Sequence, residues 1–578
     1  MTFEGFESLA GGGTGAGTWE TLPGAARLTA AQREAIESEG PLLCVVAGAG
    51  AGKTRVLTLR VARRARDGSI EPDRTLVTTF SRKAAEELRT RLWSLGVSGV
   101  KAGTFHRTAL GLLREHRELR GRPLPQLLPD RRRLLADVTS GDPRRARALD
   151  GEIGWAKARL VPPERYAAEA RRHRRRTGIN PEQVAEAYAR YEAERSRRRL
   201  LDFDDLIVSC ADALAGDSSF ADSVRWRTRH LFVDEMQDVN PAQFRLLMAL
   251  LADEPDLFVV GDPNQSVYGF NGADPTLLDR LPELLRGTEV IRLDENHRCT
   301  PQVVAVATAV LREGGRCDGA GEVVSPRTSR IDGPVPKVVA HDTDDDEAAW
   351  AARQAKLSRA PGRRWSSIAV LARTNAQLAT VQAAMDAARV PNRIAGADLG
   401  PASDLRAETG RRGAEHDEDE AIVEDPERAD GVVLTTFHRA KGLQWPTVFV
   451  LGLSDGLMPI GSAQTPAAVD EERRLLYVAL TRAEEELWCS WFAREAAPGP
   501  EGSTGGTRHA PSPWLAAVER AVARLEQEAA PTAAAEVSAR VAELRRRLAE
   551  ATEGTAAPAT EGAATRRAEG SGAPAGGR

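Results

Sequence analysis

Three consecutive residues at the end of a glycine-rich stretch, Gly52, Lys53 and Thr54, have the types and spacing that bind nucleotide phosphates. They follow the strand-like apolar run Leu42–Val46 and precede a helical pattern. Backbone amides of such a loop surround phosphate oxygens, and the helix N-terminus adds partial positive charge. Lys53 is predicted to reach the β- and γ-phosphates, and the Thr54 hydroxyl is predicted to hold Mg²⁺. The predicted loop consists of Ala47, Gly48, Ala49, Gly50, Ala51, Gly52, Lys53 and Thr54.

A second chemical group, Asp234 and Glu235, follows another apolar run at 230–233. A carboxylate at a strand end of a phosphate-loop domain holds Mg²⁺, which predicts that role for Asp234. Glu235 is placed to accept a proton from an attacking water or to orient it. Hydrolysis also requires groups that recognise the γ-phosphate and cations that stabilise the transition state. The candidates are Gln265 for recognition and Arg298 and Arg482 for charge. The residues alone do not separate an arginine finger from a salt-bridged surface arginine.

Apolar runs alternate with helical patterns, which is typical of doubly wound α/β domains with the site at the strand ends. The predicted fold class is α/β, with two doubly wound parallel-sheet domains and a helical insertion in the first. The first set of strands is predicted at 42–46, 76–80, 101–106, 230–235, 257–262 and 289–293, and the second at 336–340, 368–372, 432–436 and 447–451. The first predicted domain comprises residues 28–106 and 201–292, with a basic helical insertion at 107–200 between them. The second predicted domain comprises residues 293–398 and 431–497, separated by an acidic linker at 399–430. Residues 1–27 are predicted to be disordered, and residues 498–578 to be a low-complexity tail with an amphipathic helix near 538–551.

Charge is distributed unevenly along the 578 residues, although the net charge is only −4. Residues 107–200 contain 24 Arg and Lys against 13 Asp and Glu. This basic segment is either a solvated helical face over a small apolar core or a surface for phosphates, and its composition favours neither. The five cysteines are scattered, which excludes a zinc site of paired cysteines and a disulfide framework. Without an apolar run of about 20 residues or a secretory signal, we expect no membrane contact and a cytoplasmic protein.

In chain order, the motifs resemble those of the UvrD/Rep/PcrA group of superfamily 1 DNA helicases. They extend from Leu28 to Ala483 and read LTAAQREAI, AGAGAGKTR, TTFSRKAAEELR, GTFHR, LDFDDL, VDEMQD, GDPNQSVYGFNGAD, LDENHRCT, VLARTNAQ, VVLTTFHRAKGLQWPTVFVLGL and EERRLLYVALTRA. The resemblance implies a P-loop NTPase with two RecA-like domains, ATP and Mg²⁺ in the cleft between them, and single-stranded DNA across both.

The resemblance also implies roles for individual residues. Gln32 would hydrogen-bond the adenine with Arg55 beside it, Glu235 would be the catalytic base, and Gln265 would couple the γ-phosphate to the DNA site. Lys53, Thr54 and Asp234 would hold phosphates and Mg²⁺, with Arg298 and Arg482 as fingers from the second domain. The implied DNA contacts are Phe80, Thr104, His106, Tyr268, Phe270 and His438.

The sequence departs from the family pattern at several positions. His297 stands in place of a tyrosine that stacks on adenine, Gln444 in place of a glutamate near the ribose, and Phe270-Asn271 in place of Trp-Arg. The largest departure lies between 395 and 430, where the family inserts a helical subdomain and this chain has a short, acidic segment. We therefore hypothesise a motor without that subdomain, which holds duplex DNA with the 107–200 insertion through the arginines of the RRHRRR run at 171–176.

The expected activity is ATP-dependent translocation on single-stranded DNA and 3′ to 5′ unwinding, in repair or replication. Its partners would be single-stranded and tailed duplex DNA, and the tail helix is a candidate contact for a repair protein. Two alternatives stay open: a translocase that displaces proteins but unwinds poorly without a partner, and an ATP-switched DNA-binding scaffold. A helicase–nuclease is disfavoured because no carboxylate-rich module follows the last motif.

Overall fold

The computed structural model describes residues 19–139, 142–175, 178–313, 326–395, 430–496 and 506–553. One compact unit ends at Val522 and a second begins at Ala523. The first unit contains two six-stranded sheets in which every neighbouring pair of strands is parallel. The predicted α/β class with two parallel sheets is therefore confirmed. Within the described ranges, none of the helices has the length and apolar character needed to span a bilayer.

The first sheet is covered on both faces, as parallel sheets usually are. The strands of this part of the chain are β1 (Leu42–Ala47), β2 (Thr75–Thr79), β3 (Lys101–Thr104), β4 (Gln126–Leu127), β5 (Leu200–Leu201), β6 (His230–Val233), β7 (Asp256–Gly261) and β8 (Glu289–Leu293). The sheet has the order β3-β2-β6-β7-β1-β8, and β4 pairs with β5. Successive side chains of β1 point to opposite faces, so Leu42 and Cys44 join one core while Leu43 and Val45 join the other.

Helices supply the two cores beside this sheet. They are α1 (Ala30–Glu37), α2 (Lys53–Arg66), α3 (Arg82–Ser94), α4 (Phe105–Leu119), α5 (Arg131–Val138), α6 (Pro143–Ala158), α7 (Pro163–Arg172), α8 (Pro181–Arg197), α9 (Phe203–Gly216), α10 (Ser218–Arg227), α11 (Pro241–Leu250), α12 (Thr276–Asp279) and α13 (Leu281–Leu284). Ile36, Leu57 and Leu88 of α1–α3 pack on one face. α4 and α9–α11 pack on the other through residues such as Leu110 and Leu246. Thr29 caps α1 in a capping box with Gln32.

Helices α5–α8 form a separate small core around Leu134, Ile153 and Tyr191. This core agrees with the predicted helical insertion, but its extent differs from 107–200. The first part of that segment belongs to α4, whose Ala109 and Leu110 are buried in the core of the first domain. The insertion proper therefore begins after α4 and ends at β5.

The second sheet has the same architecture. Its domain contains the strands β9 (Glu295–Asn296), β10 (Arg327–Thr328), β11 (Lys337–Thr343), β12 (Ile368–Ala372), β13 (Asn392–Ile394), β14 (Val432–Thr436), β15 (Trp445–Val450) and β16 (Ala483–Arg494), and the helices α14 (Pro301–Arg312), α15 (Asp344–Ser358), α16 (Asn375–Ala387) and α17 (Pro466–Leu480). A further helix, α18, spans Leu515–Glu553. The sheet order is β11-β16-β15-β12-β14-β13, and β9 pairs with β10.

Three sequence-based expectations differ from this fold. Residues 19–27 are ordered rather than disordered, because Leu22 and Ala25 are buried beside α1 and α2. Strands β13 and β16 were missed, the first because it has three residues and the second because it opens with three consecutive glutamates. The tail helix begins at Leu515, well before the predicted 538–551. Residues 1–18 and most of the predicted acidic linker, 396–429, lie outside the described residues.

Candidate nucleotide site and nucleic-acid track

The phosphate-binding loop joins β1 to α2 in a conformation that requires glycine at two positions. Gly50 and Gly52 have φ values of 70° and 81°, in the left-handed region where side chains are strained. A Cβ on Gly50 would also lie 2.7 Å from the Asn296 Oδ1 atom. Asn296 Nδ2 donates to the Ala49 carbonyl at 2.8 Å, so a side chain of β9 stabilises the loop through a hydrogen bond. Asn296 was not predicted from the sequence, and its only signal is its place beside His297 and Arg298.

The loop lysine points into its own loop. Lys53 Nζ donates to the Ala47 and Gly48 carbonyl oxygens at 3.3 and 3.4 Å. Thr54 is in the first turn of α2, and its hydroxyl donates to Asp234 Oδ2 at 3.4 Å. An ammonium group and a hydroxyl are thus presented at a helix N-terminus, which is an arrangement suited to phosphate and a hard cation.

Two carboxyl groups follow β6: Asp234, which is buried, and Glu235, which is half-buried. Glu235 has a φ of 54°, a strained conformation for a non-glycine residue, and its amide donates to Asp234 Oδ1 at 2.9 Å. Burial and the neighbouring Glu235 raise the pKa of Asp234 to about 7. Burial opposes ionisation of Glu235 too, but Lys53 and Lys441 lower its pKa overall. Oxygen donors from Thr54 and Asp234, next to a second acid, fit Mg²⁺, which would relieve the repulsion between the carboxylates.

A glutamine that the sequence reading did not assign holds the acidic pair in place. Gln237 is fully buried; its Nε2 donates to Glu235 Oε2 at 2.5 Å, and its Oε1 accepts from the Asp262 amide at 2.9 Å. Asp262 in turn accepts from Gln265 Nε2 at 2.6 Å. The ends of β6 and β7 are therefore joined by one hydrogen-bonded chain that includes both Glu235 and Gln265.

Both predicted finger arginines come from the second domain. Arg482 is 1% exposed and donates to Gln265 Oε1 at 3.4 Å and to the Leu443 carbonyl at 3.0 Å. Burial and the nearby Arg298 lower the pKa of Arg482 to about 9. Arg298 donates to the Thr481 carbonyl at 3.4 Å, and its Nε is buried without a hydrogen-bond partner among the described residues. Arg482 thus contacts Gln265 of the first domain, and Arg298 lies near Arg482.

The residues predicted beside the adenine are engaged with the protein itself. Gln32 is buried; its Oε1 accepts from the Thr29 amide at 3.1 Å and its Nε2 donates to the Ala51 carbonyl at 2.9 Å. Arg55 donates to the carbonyls of Gly24 and Ala26. These bonds attach α1 and the N-terminal segment to the phosphate-binding loop.

The other two predicted nucleotide contacts lie on second-domain segments. The His297 amide donates to the Gly50 carbonyl at 2.9 Å, and its Nδ1 lies 2.7 Å from Ser329 Oγ. Gln444 is exposed beside Leu443, whose carbonyl accepts from Arg482. His297 therefore contacts the loop directly, and Gln444 lies next to a residue that binds a predicted finger.

The two domains meet through bonds beyond the arginines. Lys441 Nζ donates to Asp238 Oδ2 at 2.5 Å and to the Gln265 carbonyl at 2.6 Å. Arg474 Nε donates to the Ser266 carbonyl at 2.9 Å. Although Lys441 lowers the pKa of Asp238, burial raises that pKa more, to about 7. The domain interface thus includes a buried ion pair close to Gln265.

Four of the six predicted DNA contacts form a continuous track of rings. Phe80 stacks on Tyr268 at 4.9 Å, Tyr268 lies 6.2 Å from Phe270, and Phe270 meets His438 edge-on at 5.5 Å. Phe80 and Phe270 are 43% and 48% exposed, so apolar ring area is open to solvent. We call Phe80, Tyr268, Phe270 and His438 the aromatic track. It crosses from the first domain to the second, and exposed rings of this kind stack bases without sequence preference.

The other two predicted DNA contacts have local structural partners. Thr104 caps α4, where its hydroxyl accepts from the Arg107 amide at 3.2 Å. His106 stacks on Phe203 at 3.6 Å, and burial lowers its pKa to about 3, so the ring is neutral. Among the described residues, His106 makes no ring contact with the aromatic track.

Comparison with known proteins agrees with this geometry. Residues 28–285 match the UvrD/REP helicase N-terminal domain, and residues 291–398 and 415–494 match the UvrD-like helicase C-terminal domain. The chain is 34% identical over 565 residues to the ATP-dependent DNA helicase UvrD2 of Mycobacterium tuberculosis, covering 82% of this chain and 80% of that protein. It is 26% identical over 609 residues to the ATP-dependent DNA helicase PcrA of Staphylococcus epidermidis, covering 79% and 82%. The chain therefore belongs to the UvrD-like helicase family.

Proposed function

We propose that the protein is an ATP-dependent DNA helicase that moves 3′ to 5′ along single-stranded DNA and opens the duplex ahead of it. The observation that carries this proposal is the meeting of both domains at Gln265, which contacts Arg482 and accepts from Lys441 through its carbonyl. Groups from both domains around one γ-phosphate make domain closure depend on ATP and opening depend on hydrolysis.

In the proposed reaction, Lys53 would hold phosphate oxygens, and Thr54 and Asp234 would hold Mg²⁺, which would supply neutralisation of phosphate charge. Glu235 receives the proton of the attacking water, because its lowered pKa keeps it ionised. Gln237 keeps the Glu235 carboxylate oriented through its hydrogen bond. Arg298 and Arg482 stabilise the charge that develops on the γ-phosphate, as donors fixed in place before reaction do.

DNA is proposed to lie along the aromatic track. Tyr268 is three residues from Gln265 and has Lys441 5.1 Å from its ring centroid. A change in the contact between Lys441 and Gln265 therefore acts directly on a base-stacking residue. Alternating closure with alternate grip on the bases would give directional stepping, and the 3′ to 5′ direction rests on the resemblance to the family.

Strand displacement on duplexes with a 3′ tail, a 5′ tail or no tail tests this function, with Glu235→Gln as the inactive control. We expect ATP-dependent opening of the 3′-tailed duplex only. Opening from the 5′ tail would overturn the proposed direction. Hydrolysis that does not respond to single-stranded DNA would overturn the assignment of the track and favour an ATP-switched scaffold.

A second function, displacement of proteins from single strands with weak unwinding, is favoured by one observation. Strand β13 ends at Ile394 and β14 begins at Val432, and the family match leaves 399–414 unmatched. The short connection lies where the family inserts its helical subdomain. Removal of a protein block from single-stranded DNA, measured beside duplex opening, separates the two functions: block removal without opening supports the second.

The C-terminal tail is proposed to contact a repair protein. In α18, Val541 and Leu544 are 40% and 54% exposed on one side of the helix. Deletion of residues 523–578 is expected to leave DNA-stimulated hydrolysis unchanged, since the ATP-site and track residues precede them. A loss of hydrolysis would assign the tail to the motor instead.

A further inference from the structure

A buried lysine joins the insertion to the first domain. Lys157, near the end of α6, is 7% exposed, and its Nζ lies 2.6 Å from Asp202 Oδ2 and 2.8 Å from both Asp205 Oδ1 and Glu192 Oε1. We call these four residues the Lys157 cluster. Asp202 caps α9, a helix of the first domain, whereas Lys157 and Glu192 belong to the insertion. The cluster therefore crosses the boundary between them.

Two further cations reinforce this junction. Arg131 of α5 contacts Asp150 at 2.8 Å and Asp204 at 2.9 Å, and Arg195 of α8 contacts Asp205 at 3.0 Å. Each of three insertion helices thus supplies a cation to the start of α9. Buried ion pairs of this kind fix geometry, because removing one partner leaves a charge without compensation.

The start of α9 is also in contact with a predicted DNA-facing segment. Phe203 follows Asp202 directly and stacks on His106 with an angle of 19° between the rings. The Lys157 cluster therefore fixes the insertion against the segment that carries Thr104 and His106.

The last residue of α6 and the C-cap residue Arg159 contact the loop that follows Phe270 of the aromatic track. A Cβ on Gly272 would lie 2.7 Å from Ala158 Cβ, so the two backbones approach closely. Arg159 Nη2 lies 3.4 Å from Asp274 Oδ2. Gly272 and Asp274 follow Phe270 on the same short loop. The C-terminal end of α6 thus contacts both Asp202, the residue before Phe203, and the loop that follows Phe270 of the aromatic track.

The opposite end of α6 carries basic residues. Arg144, Arg145 and Arg147 are exposed, and within the described ranges none has a carboxylate within 4 Å. By contrast, Arg171, Arg172 and Arg175 of the run singled out from the sequence are ion-paired with Glu182, Glu169 and Glu152. At 1.5 Å per residue, Arg145 lies roughly 20 Å along the helix from Arg159.

We propose that α6 is a rigid strut between the aromatic track and the duplex. Its C-terminal end, fixed by Lys157 and Arg159, sets the position of the insertion, and Arg144, Arg145 and Arg147 bind backbone phosphates of duplex DNA ahead of the track. Arg159 and Asp274 are positioning residues, and the three arginines are the contacts. The inference rests on the proposed function for its substrate, a tailed duplex.

Equilibrium binding without ATP hydrolysis tests the strut. Binding of a 3′-tailed duplex and of its isolated tail is measured over a range of salt concentrations. The triple variant Arg144→Gln, Arg145→Gln, Arg147→Gln is expected to reduce the salt slope for the tailed duplex by about 2 to 3, and to leave the slope for the tail unchanged. The matched control replaces Arg171, Arg172 and Arg190, also exposed but ion-paired, by Gln.

The positioning pair is tested by exchanging its charges. Arg159→Asp and Asp274→Arg are each expected to lower the preference for the tailed duplex over the tail about fivefold, and the double exchange to restore it. Restoration also shows that the single variants fold. The strut is overturned if the wild type has no such preference, if the control triple has the same effect as the α6 triple, or if the exchange restores nothing.

These outcomes separate the strut from the motor. Strand displacement by the wild type decides the proposed function, whereas the binding measurements need no turnover. A wild type that binds the tailed duplex as expected but opens nothing would retain the strut and overturn the helicase. A wild type that unwinds DNA, with a triple variant that binds the tailed duplex as the wild type does, would retain the helicase and overturn the strut.

Discussion

The nucleotide site and the junction of the insertion each contain a lysine beside acidic residues, but the two lysines have different partners. In the Lys157 cluster, the ammonium group lies within 2.8 Å of three carboxylates. At the nucleotide site, Lys53 bonds to two backbone carbonyls, and within the described residues Asp234 and Glu235 have no cation within 4 Å. The first cluster is complete without a ligand, whereas the second offers its acids to one.

This difference changes the charge state of the acids. Although burial opposes ionisation, Lys157 and Arg131 hold the pKa of Asp202 well below its usual range. For Asp234, burial and Glu235 prevail, and the pKa rises to about 7. A carboxyl group that is buried beside another acid and lacks an ion-pair partner is a better candidate for function than one already bound to a lysine.

The largest expected effect comes from removing the proposed base. Glu235→Gln preserves size and the bond from Gln237 but cannot accept the proton of water, so we expect DNA-stimulated ATP turnover to fall by about 10²- to 10⁴-fold. Steady-state hydrolysis, with nucleotide affinity measured in parallel, checks this. Glu192→Gln in the Lys157 cluster is the matched control and should keep turnover within about twofold. Equal losses of ATP turnover in Glu235→Gln and Glu192→Gln would contradict the proposed difference in function between the two clusters.

Replacing the two lysines should have opposite consequences for stability and turnover. Lys157→Met removes the cation that three carboxylates share and is expected to lower the free energy of unfolding by about 3–5 kcal/mol. Lys53→Met removes only bonds to carbonyl oxygens and should cost about 1 kcal/mol or less, while abolishing hydrolysis. Urea unfolding of both variants supplies the measurement. A Lys53 variant as unstable as the Lys157 variant would contradict the assignment of Lys157 as the structural lysine.

Ligand should distinguish the clusters by its effect on stability. At 100 times its dissociation constant, Mg²⁺–ADP is expected to stabilise the fold by about 2.7 kcal/mol, since it binds the folded state alone. In Asp234→Asn, the part of this gain that depends on Mg²⁺ should disappear; in Glu192→Gln it should persist. Thermal unfolding with ADP, with and without Mg²⁺, makes the comparison. An unchanged Mg²⁺ increment in Asp234→Asn would remove Asp234 from the metal site.

Local patterns were enough to predict much of the fold and to select candidate residues for the site. The runs at β12 and β14 were placed to the residue, and the glycine spacing located the phosphate-binding loop. The ordered motifs indicated Glu235, Gln265 and Arg482 before any contact was known. The strand predictions succeed because strand periodicity is a property of neighbouring residues, and the site assignments stay predictions that rest on motif spacing.

What the sequence did not predict depends on contacts between distant segments. Asn296 reaches the loop at Ala49 across 247 residues, and Lys441 meets Asp238 across 203. Nothing local in Gly-Trp-Ala-Lys-Ala marks Lys157 as a junction, because its partners belong to other helices. The arginine run at 171–176 was chosen for its charge, but the pairing of Arg171, Arg172 and Arg175 with glutamates is visible only in three dimensions.

Another buried acid extends the comparison, because among the described residues it makes hydrogen bonds but no ion pair. Glu347 of α15 is 4% exposed, and its Oε1 accepts from Ser490 Oγ at 2.6 Å and from the Gly452 amide at 3.0 Å. Burial raises its pKa from 4.5 to about 7. Between these values the unfolded chain is ionised while the folded chain holds a proton, so stability must fall as pH rises.

We therefore expect the free energy of unfolding to decrease by about 2 kcal/mol between pH 5 and pH 8 through this one residue. Glu347→Gln keeps an oxygen acceptor for Ser490 and Gly452 but cannot ionise. The difference in stability between wild type and variant, from urea unfolding at each pH, isolates the contribution of Glu347. The free energy of unfolding of the variant, relative to that of the wild type, should increase as pH rises from 5 to about 7. A difference that does not vary with pH would mean that Glu347 is already ionised in the folded protein, with its charge compensated as in the Lys157 cluster.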